Sequence, residues 1–325
     1  MAPSITDIPQ VAPATLKALQ REPLKPTGTL NSFESFDATP VIGREFTNVN
    51  LKEWLRTPNS DEILRELAIT ISQRGVAFFR MQDDLDNDLQ KELIQRLGHL
   101  SGKPATSGLH VHPVINSGRE LGAKDYEISV ISSREREKLD ITFEPIPSDY
   151  TILRLTELPK TGGDTLWASG YEVYNRISEP YQKFLERLTA TYAQPRFNEI
   201  AKDNGFEVLE AIHSVIRTSP ATEWKSVFAV GHHVQKTNGL AEEESRHLLD
   251  CFVQLIVENH GLQLRFKWQN PNDLAIWDNR SVYHAATFAY AHLGPRTGQR
   301  AVGLGERPYF DPKSTGRHEA LAKGE

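Results

Sequence analysis

The chain has very few of the features that mark secreted or membrane proteins. Its 325 residues include a single cysteine, Cys251, so no disulfide can form within the chain. The segment Met1–Asp7 has neither the basic nor the apolar region of a secretory signal peptide. No apolar run reaches the roughly 18 residues that a membrane-spanning helix needs. These absences predict a cytoplasmic protein that is not bound to a membrane.

The chain also lacks an excess of positive charge. Its net charge is −6, with 37 basic and 43 acidic side chains, so nothing favours binding to nucleic acid. Prolines are frequent and large apolar side chains are few in residues 1–38, which predicts a flexible N-terminal arm or a strap on the surface. We expect residues 39–325 to form a single domain, and a homo-oligomer is compatible with this composition.

Hydrophobic periodicity predicts a mixed set of helices and strands. Apolar residues three and four positions apart predict helices at 60–71, 86–97, 179–188 and 242–258. Short apolar runs predict strands at 41–46, 75–80, 264–267 and 273–277. Early helices followed by many short strands are typical of an α+β protein, and this order permits a core of two packed sheets.

One stretch near the end of the chain has the composition of a metal and anion site. The apolar segment 273–277 leads into a polar turn and then His284, and Arg296 and Arg300 follow. A neutral imidazole is a good ligand for iron, and a guanidinium binds a carboxylate through two hydrogen bonds. The pattern therefore predicts a metal site that also binds a small organic acid.

Five sequence blocks, in a fixed order, carry a resemblance to a known family. They are DITFEPIPSDY from position 140, GGDTLWASG from 162, HSVIRTSP from 213, WDNRSVYHAAT from 277 and RTGQR from 296. The blocks resemble the taurine dioxygenase (TauD/TfdA) family of Fe(II)/2-oxoglutarate-dependent oxygenases, and most closely its fungal sulfonate-dioxygenase branch. The resemblance runs from about Val41 to about Phe310. It implies a double-stranded β-helix (jelly-roll) core with flanking helices.

The resemblance also implies roles for individual residues. Asp140 and His284 are the expected Fe(II) ligands, as members of the family's set of two histidines and one carboxylate. Thr165 and Arg296 are expected to hold the far carboxylate of the cosubstrate 2-oxoglutarate. The family's reaction consumes O2 and 2-oxoglutarate and releases succinate and CO2.

Two further residues are expected to bind the acidic group of the primary substrate. Arg300 resembles the family arginine that binds this group, and His112 resembles a family histidine that contacts a sulfonate. Ile115 stands where the family often has a tyrosine, which favours a substrate other than taurine. The adjacent histidines His232 and His233 are not expected to chelate a metal together, because neighbouring positions of a strand face opposite sides. They are expected to lie in a loop or at the surface.

One position departs from the family pattern. The family has a histidine two residues before the aspartate, but Lys138 stands there in front of Asp140. A lysine ammonium has no lone pair for a metal until it loses its proton, and a nearby metal cation repels it. Three accounts are open: a segment lost through a gene-model error, a genuine loss of iron binding, or a site completed by another residue such as His110 or His112.

The sequence thus predicts an Fe(II)/2-oxoglutarate-dependent dioxygenase that hydroxylates a small acidic substrate, either a sulfonate or an amino or organic acid. One alternative is a tailoring oxygenase of a fungal secondary-metabolite pathway. Another, which follows if Lys138 is genuine, is a catalytically silent protein that still binds 2-oxoglutarate.

Overall fold

Fifteen strands make up the β part of the described structure. The computed structural model describes residues 22–112, 125–133, 141–195, 198, 209–290 and 292–324. In chain order the strands are β1 (Ser35–Asp37), β2 (Arg44–Phe46), β3 (Val76–Phe79), β4 (Ile128–Ser132), β5 (Ser148–Glu157), β6 (Thr165–Ser169), β7 (Thr189–Ala193), β8 (Glu210–Ser214), β9 (Ile216–Thr218), β10 (Lys225–Val227), β11 (Val234–Thr237), β12 (Gln263–Phe266), β13 (Leu274–Asp278), β14 (Val282–Ala286) and β15 (Thr297–Leu304).

These strands form one large sheet and three small ones. The large sheet has seven strands in the order β1-β2-β3-β13-β5-β15-β4. Only β2 and β3 pair in parallel there, and the other neighbours are antiparallel. The small sheets have the orders β12-β6-β14, β11-β7-β8 and β10-β9. Since seven of these eleven neighbouring pairs join strands that are not consecutive in sequence, segments far apart in the chain meet in the core.

Seven helices flank the sheets in the described part of the chain. They are α1 (Leu51–Arg56), α2 (Ser60–Arg74), α3 (Asn87–Leu100), α4 (Gly170–Asn175), α5 (Glu179–Leu185), α6 (Glu242–Val257) and α7 (Arg317–Lys323), and Thr29–Ser32 and His260–Leu262 form 3-10 turns. The helix α2 ends at Gly75, whose φ is 77° and where a Cβ would lie 2.5 Å from the Val282 side chain. Glycine therefore lets the chain turn directly into β3. None of the described helices is long and apolar enough to cross a bilayer.

The strand β13 is the centre of the core because both of its faces are buried. Leu274 and Ile276 pack on the side of α2 and α3, whereas Ala275 and Trp277 face the small sheet β12-β6-β14. There the Trp277 ring lies 5.8 Å from the ring of Trp167 on β6. This alternation is the period of two expected of a strand, and the two facing sheets form the jelly-roll core.

The helices and strands predicted from periodicity are present, with shifted ends. The helix predicted at 60–71 runs on to Arg74, and the helix predicted at 86–97 begins at Asn87 and runs on to Leu100. The helix predicted at 179–188 ends earlier, at Leu185. The last turn of α2 consists of polar residues after Ile71, so apolar spacing does not mark its end.

Residues 22–38, which the sequence assigns to an N-terminal arm, are attached to the domain. Glu66 on α2 accepts hydrogen bonds from the N–H groups of Thr27 (2.7 Å) and Gly28 (3.0 Å). Ser35–Asp37 pair with β2 and form the edge of the large sheet. The folded part therefore begins before the boundary predicted at residue 39. Backbone hydrogen bonds can attach a segment to a sheet even when the segment has few apolar side chains.

Candidate active site

The turn that precedes β6 lies against the side chain of Arg296. Gly162 and Gly163 have positive φ angles of 80° and 72°, which residues with a Cβ rarely adopt. A Cβ on Gly163 would also lie 2.9 Å from Arg296 Cδ. The glycines therefore allow the Gly163 carbonyl to accept a hydrogen bond from Arg296 Nε (2.8 Å).

The guanidinium group of Arg296 is buried. Its side chain is 3% exposed, and among the described residues no carboxylate lies within ion-pair distance of it. The nearby Asp164 instead binds Arg265 (2.7 Å). Burial lowers the pKa of the Arg296 guanidinium, while Tyr290 and Asp164 act in the opposite direction. A cation buried in this way is suited to a carboxylate ligand, which would offset its desolvation.

The hydroxyl group of Thr165 has a hydrogen available for donation. Its Oγ1 accepts one hydrogen bond from Arg296 Nη2 (3.2 Å) and one from Trp268 Nε1 (3.1 Å). A hydroxyl oxygen has two lone pairs and one O–H, so these two bonds occupy both lone pairs. Arg296 and Thr165, which we call the anchor pair, therefore present N–H and O–H donors side by side. Sequence reasoning missed Trp268, which no motif marks.

His284 lies on β14, at the edge of the small sheet, and is half-buried. It pairs in register with Trp167 on β6, and its ring lies 4.8 Å from the ring of Trp277 on β13. Both tryptophans are 1% exposed. The imidazole is therefore backed by a rigid apolar wall, which limits the directions in which it can bind a metal ion.

A buried ion pair fixes the turn between β13 and β14. Arg280 Nε and Nη2 donate to the two oxygens of Asp278 (2.8 and 2.9 Å), and Ser72 Oγ donates to Asp278 Oδ2 (2.9 Å). Asn279 Nδ2 donates to the backbone carbonyl of Asp149 (2.9 Å). The residues Asp278–Arg280 before His284 therefore act structurally, by holding the strand that carries the histidine.

A second buried charge pair lies behind this turn. Lys103 Nζ is 4.0 Å from Asp149 Oδ2, and neither side chain is exposed. Burial raises the pKa of the Asp149 carboxyl to about 7, although the charge of Lys103 opposes this shift. Burial also lowers the pKa of Lys103. For both pKa values, the effect of desolvation thus exceeds the effect of the attraction between the two groups.

Arg300 lies on β15, and the segment that carries His112 lies beside this strand. Arg300 is buried, and its guanidinium carbon lies 5.8 Å from the centre of the same Trp277 ring that contacts His284. The N–H of His110 donates to a carbonyl of β15 (2.8 Å), and the buried His112 ring is 5.7 Å from that of His110. The Trp277 ring therefore contacts both Arg300 and His284. The segment that carries His112 runs alongside β15, the strand of Arg300.

The expected ligand Asp140 and the unusual Lys138 lie outside the described residues. The described part of the chain brings no three histidine, cysteine, aspartate or glutamate side chains together in a metal-binding group. The residues that follow Asp140 are described from Ile141 onward.

Three histidines contact the segment from Thr142 to Glu144. His213 Nε2 lies 3.0 Å from the carbonyl oxygen of Thr142 and 3.1 Å from that of Glu144. His233 Nδ1 lies 2.8 Å from Thr142 Oγ1, and His110 Nε2 lies 2.9 Å from Glu144 Oε1. We call these three residues the histidine cradle. His213 opens one of the recognised blocks, but nothing in the sequence links it to this segment.

The histidine pair His232 and His233 lies in a loop, as expected, but only His232 is exposed. His233 is 2% exposed, and the ring of Phe143 packs edge-on against it at 4.9 Å. The prediction of a loop is therefore confirmed for both residues, and His233 is buried within that loop. Sequence spacing could not reveal this burial, because the covering residue lies 90 positions earlier in the chain (233 − 143).

A cavity of about 130 Å³ opens beside His284. His284 and Tyr283 line one side, and Thr142, Phe228 and His233 are among the residues that line the rest. Neither member of the anchor pair belongs to the lining. The cavity therefore lies beside the histidine and apart from the anchor pair, so a second small molecule could reach His284 there.

Comparisons with known proteins agree with this architecture. The sequence model described as taurine catabolism dioxygenase TauD, TfdA family matches residues 33–302. The chain is 51% identical to the alpha-ketoglutarate-dependent dioxygenase btcD of Neocamarosporium betae, over 93% of this chain and 99% of that protein. It is 31% identical to the alpha-ketoglutarate-dependent sulfonate dioxygenase of Saccharomyces cerevisiae, over 85% and 68% respectively. A crystal structure of a taurine dioxygenase from Burkholderia xenovorans has a TM-score of 0.67 at 23% identity, covering 87% of this chain and 92% of that one, which supports the jelly-roll fold.

The alignment with the Neocamarosporium betae protein also reveals a difference in length. It contains 345 positions, more than the 325 residues of the whole chain. That protein therefore has residues within the aligned region that have no counterpart here.

Proposed function

The chain belongs to the TauD/TfdA family of alpha-ketoglutarate-dependent dioxygenases, and we propose that it oxidises a small molecule that carries an acidic group. As a member of this family it requires Fe(II) and consumes O2 and 2-oxoglutarate. The comparisons give no support to a catalytically silent protein. The observation that carries the substrate proposal is a second buried cation, Arg300, on the tryptophan ring that also contacts His284.

The anchor pair is our proposed site for the far carboxylate of 2-oxoglutarate. Arg296 uses its Nε and one Nη2 hydrogen to bind Gly163 and Thr165, which orients the guanidinium plane. A carboxylate would then receive hydrogen bonds from other N–H groups of the guanidinium and from the Thr165 O–H. The lowered pKa of Arg296 supports this assignment, because a bound anion would offset its desolvation.

We propose His284 and Asp140 as protein ligands of the Fe(II) ion. An imidazole and a carboxylate are the donor types that non-haem iron prefers, and the wall formed by Trp167 and Trp277 restrains the His284 ring. The bound Fe(II) supplies the oxidising chemistry, in which 2-oxoglutarate is converted into succinate and CO2 while the substrate is oxidised. The part of the protein is to hold the reactants in place and to keep the site dry.

Arg300 is the proposed partner of the substrate's acidic group, with His112 nearby. The guanidinium of Arg300 is buried beside the Trp277 ring, and a guanidinium binds an oxyanion through charge-assisted hydrogen bonds. An anion bound to Arg300 would direct the remainder of the substrate past Trp277 toward His284 and the cavity beside it. Sulfonates and carboxylates both satisfy this requirement.

A second candidate is a tailoring oxygenase that acts on a carboxylate of secondary metabolism. The chain is 51% identical to btcD but only 31% identical to the sulfonate dioxygenase. The cavity beside His284 also contains polar groups such as Thr142 and Tyr283 in addition to its apolar wall. The polar lining favours a substrate that carries a further polar group in addition to its acidic group.

Succinate release tests the proposed substrate class. The purified protein, supplied with Fe(II), 2-oxoglutarate and O2, should be tested against alkyl sulfonates, amino and organic acids, and neutral alcohols of matched size. We expect turnover above the background only with acids, and a rise in KM with Arg300→Ala. Preference for the neutral alcohols, or an unchanged KM in the variant, would show that no acidic group anchors the substrate.

A further inference from the structure

We propose that His213 is a positioning residue for the metal site, which it serves by fixing the segment that follows Asp140. This inference rests on the proposed function, in which Asp140 is a ligand of Fe(II). Only one residue separates Asp140 from Thr142 in the chain, and His213 contacts the carbonyl groups of Thr142 and Glu144. Restricting this short segment restricts the directions in which the carboxylate can point.

The hydrogen bonds of His213 define its tautomer. Both partners of Nε2 are backbone carbonyl oxygens, which can only accept, so Nε2 must carry the hydrogen. Burial lowers the pKa of His213 to about 4, so the ring is neutral near pH 7. Its Nδ1 is then an unprotonated lone pair, and it has no hydrogen-bond partner among the described residues. A buried acceptor without a partner costs stability, which indicates that His213 contributes something other than stability.

The other two members of the histidine cradle hold the same segment from other directions. His110 follows α3 and reaches the Glu144 side chain, while His233 precedes β11 and reaches the Thr142 hydroxyl. Between these contacts, Phe143 is fully buried. Three segments that are distant in sequence thus hold the residues from Thr142 to Glu144. Within the histidine cradle, His213 is the residue that binds the backbone carbonyls of this segment.

Such outer contacts matter for metal affinity because they determine the orientation of a ligand before the ion arrives. Loss of an outer-shell contact typically weakens metal binding about 10- to 100-fold. The described contacts of His213 are with backbone carbonyl groups that follow Asp140 in the chain. We therefore expect an effect near the lower end of this range.

The test compares two replacements of His213. His213→Leu removes the hydrogen-bond donor at similar size, whereas His213→Gln keeps an amide N–H for the two carbonyls. Tyr174→Phe is the matched control, because it removes a hydrogen bond to Glu186 (2.7 Å) that does not involve the cradle. Binding of Mn(II) in the presence of 2-oxoglutarate is measured by calorimetry without oxygen, and thermal unfolding of the metal-free proteins is measured in parallel.

We expect His213→Leu to weaken Mn(II) binding by about 10-fold, and His213→Gln to recover most of the affinity. Tyr174→Phe should lower the unfolding temperature without changing the affinity. Unchanged Mn(II) affinity in His213→Leu, or equal losses in the Leu and Gln variants, would overturn the inference. If the wild-type protein binds neither Mn(II) nor 2-oxoglutarate, the proposed function fails and the role of His213 fails with it.

Discussion

Replacement of Arg296 by alanine should remove most of the affinity for 2-oxoglutarate. Arg296 is the one member of the anchor pair that carries a charge, and its guanidinium is oriented by Gly163 and Thr165. A hydrogen bond to a charged group contributes about 1.5–3 kcal/mol. Since about 1.4 kcal/mol corresponds to a factor of ten in affinity, the dissociation constant should rise about 10- to 150-fold.

Two further variants separate the shape of the arginine from its charge. Arg296→Lys keeps the charge but cannot bind Gly163, Thr165 and a carboxylate in one plane, so its affinity should fall between those of wild type and Arg296→Ala. Arg265→Ala is the matched control, because Arg265 is 60% exposed and pairs with Asp164 beside the same turn. Its affinity for 2-oxoglutarate should match that of the wild type.

The assay is calorimetric titration of 2-oxoglutarate into each Mn(II)-loaded protein without oxygen. Thermal unfolding shows whether each variant is folded. If folded Arg296→Ala binds 2-oxoglutarate as tightly as the wild type, the assignment of the anchor pair is wrong. A loss of the same size in Arg265→Ala would show that general charge near the turn, rather than the guanidinium of Arg296, is responsible.

Three further predictions concern other parts of the site. Thr165→Val should weaken 2-oxoglutarate binding in the same titration, whereas Thr165→Ser should preserve it, because only the serine keeps an O–H to donate. The folded-state pKa of Asp149 is raised from 3.8 to about 7, so the folded chain keeps a proton that the unfolded chain releases. The free energy of unfolding should therefore fall as pH rises through that window, and urea titrations should show a weaker pH dependence for Asp149→Asn. Transcripts that span the codons for Ser133 to Asp140 should contain a further in-frame Trp-His segment; if they do not, Lys138→His should increase both Mn(II) affinity and succinate release.

Local patterns in the sequence predicted some of the elements around the site. The apolar run before the Asp278–Arg280 turn identified β13, because it is short and apolar and a polar turn follows it. The strand β14, which carries His284, is not among the strands predicted from apolar runs, because His284 interrupts its short sequence. The pairing of Thr165 with Arg296 could be expected only from the resemblance, since 131 residues separate them.

The parts of the site that the sequence did not predict depend on contacts between distant segments. His213 and His233 converge on Thr142 from β8 and from the loop before β11, and no periodicity encodes this meeting. Trp268 contacts Thr165 across 103 positions. The burial of Lys103 with Asp149 likewise contradicts the usual preference of charged residues for solvent. In each case sheet order determines the neighbours, and sheet order could not be derived from composition or spacing.

We propose that Lys138 precedes Asp140 in this chain because a segment is missing in front of Asp140. The alignment of 345 positions against 325 residues shows that a close relative has additional residues inside the matched region. In a protein that had lost its iron site, the buried Arg296 would only cost stability, because its guanidinium is desolvated unless an anion binds to it. Both arginines and His284 remain in place around Trp277 and Thr165. The presence of the proposed anchor pair and of His284, the proposed ligand, argues against a gradual loss of function, and we propose a single local omission in front of Asp140.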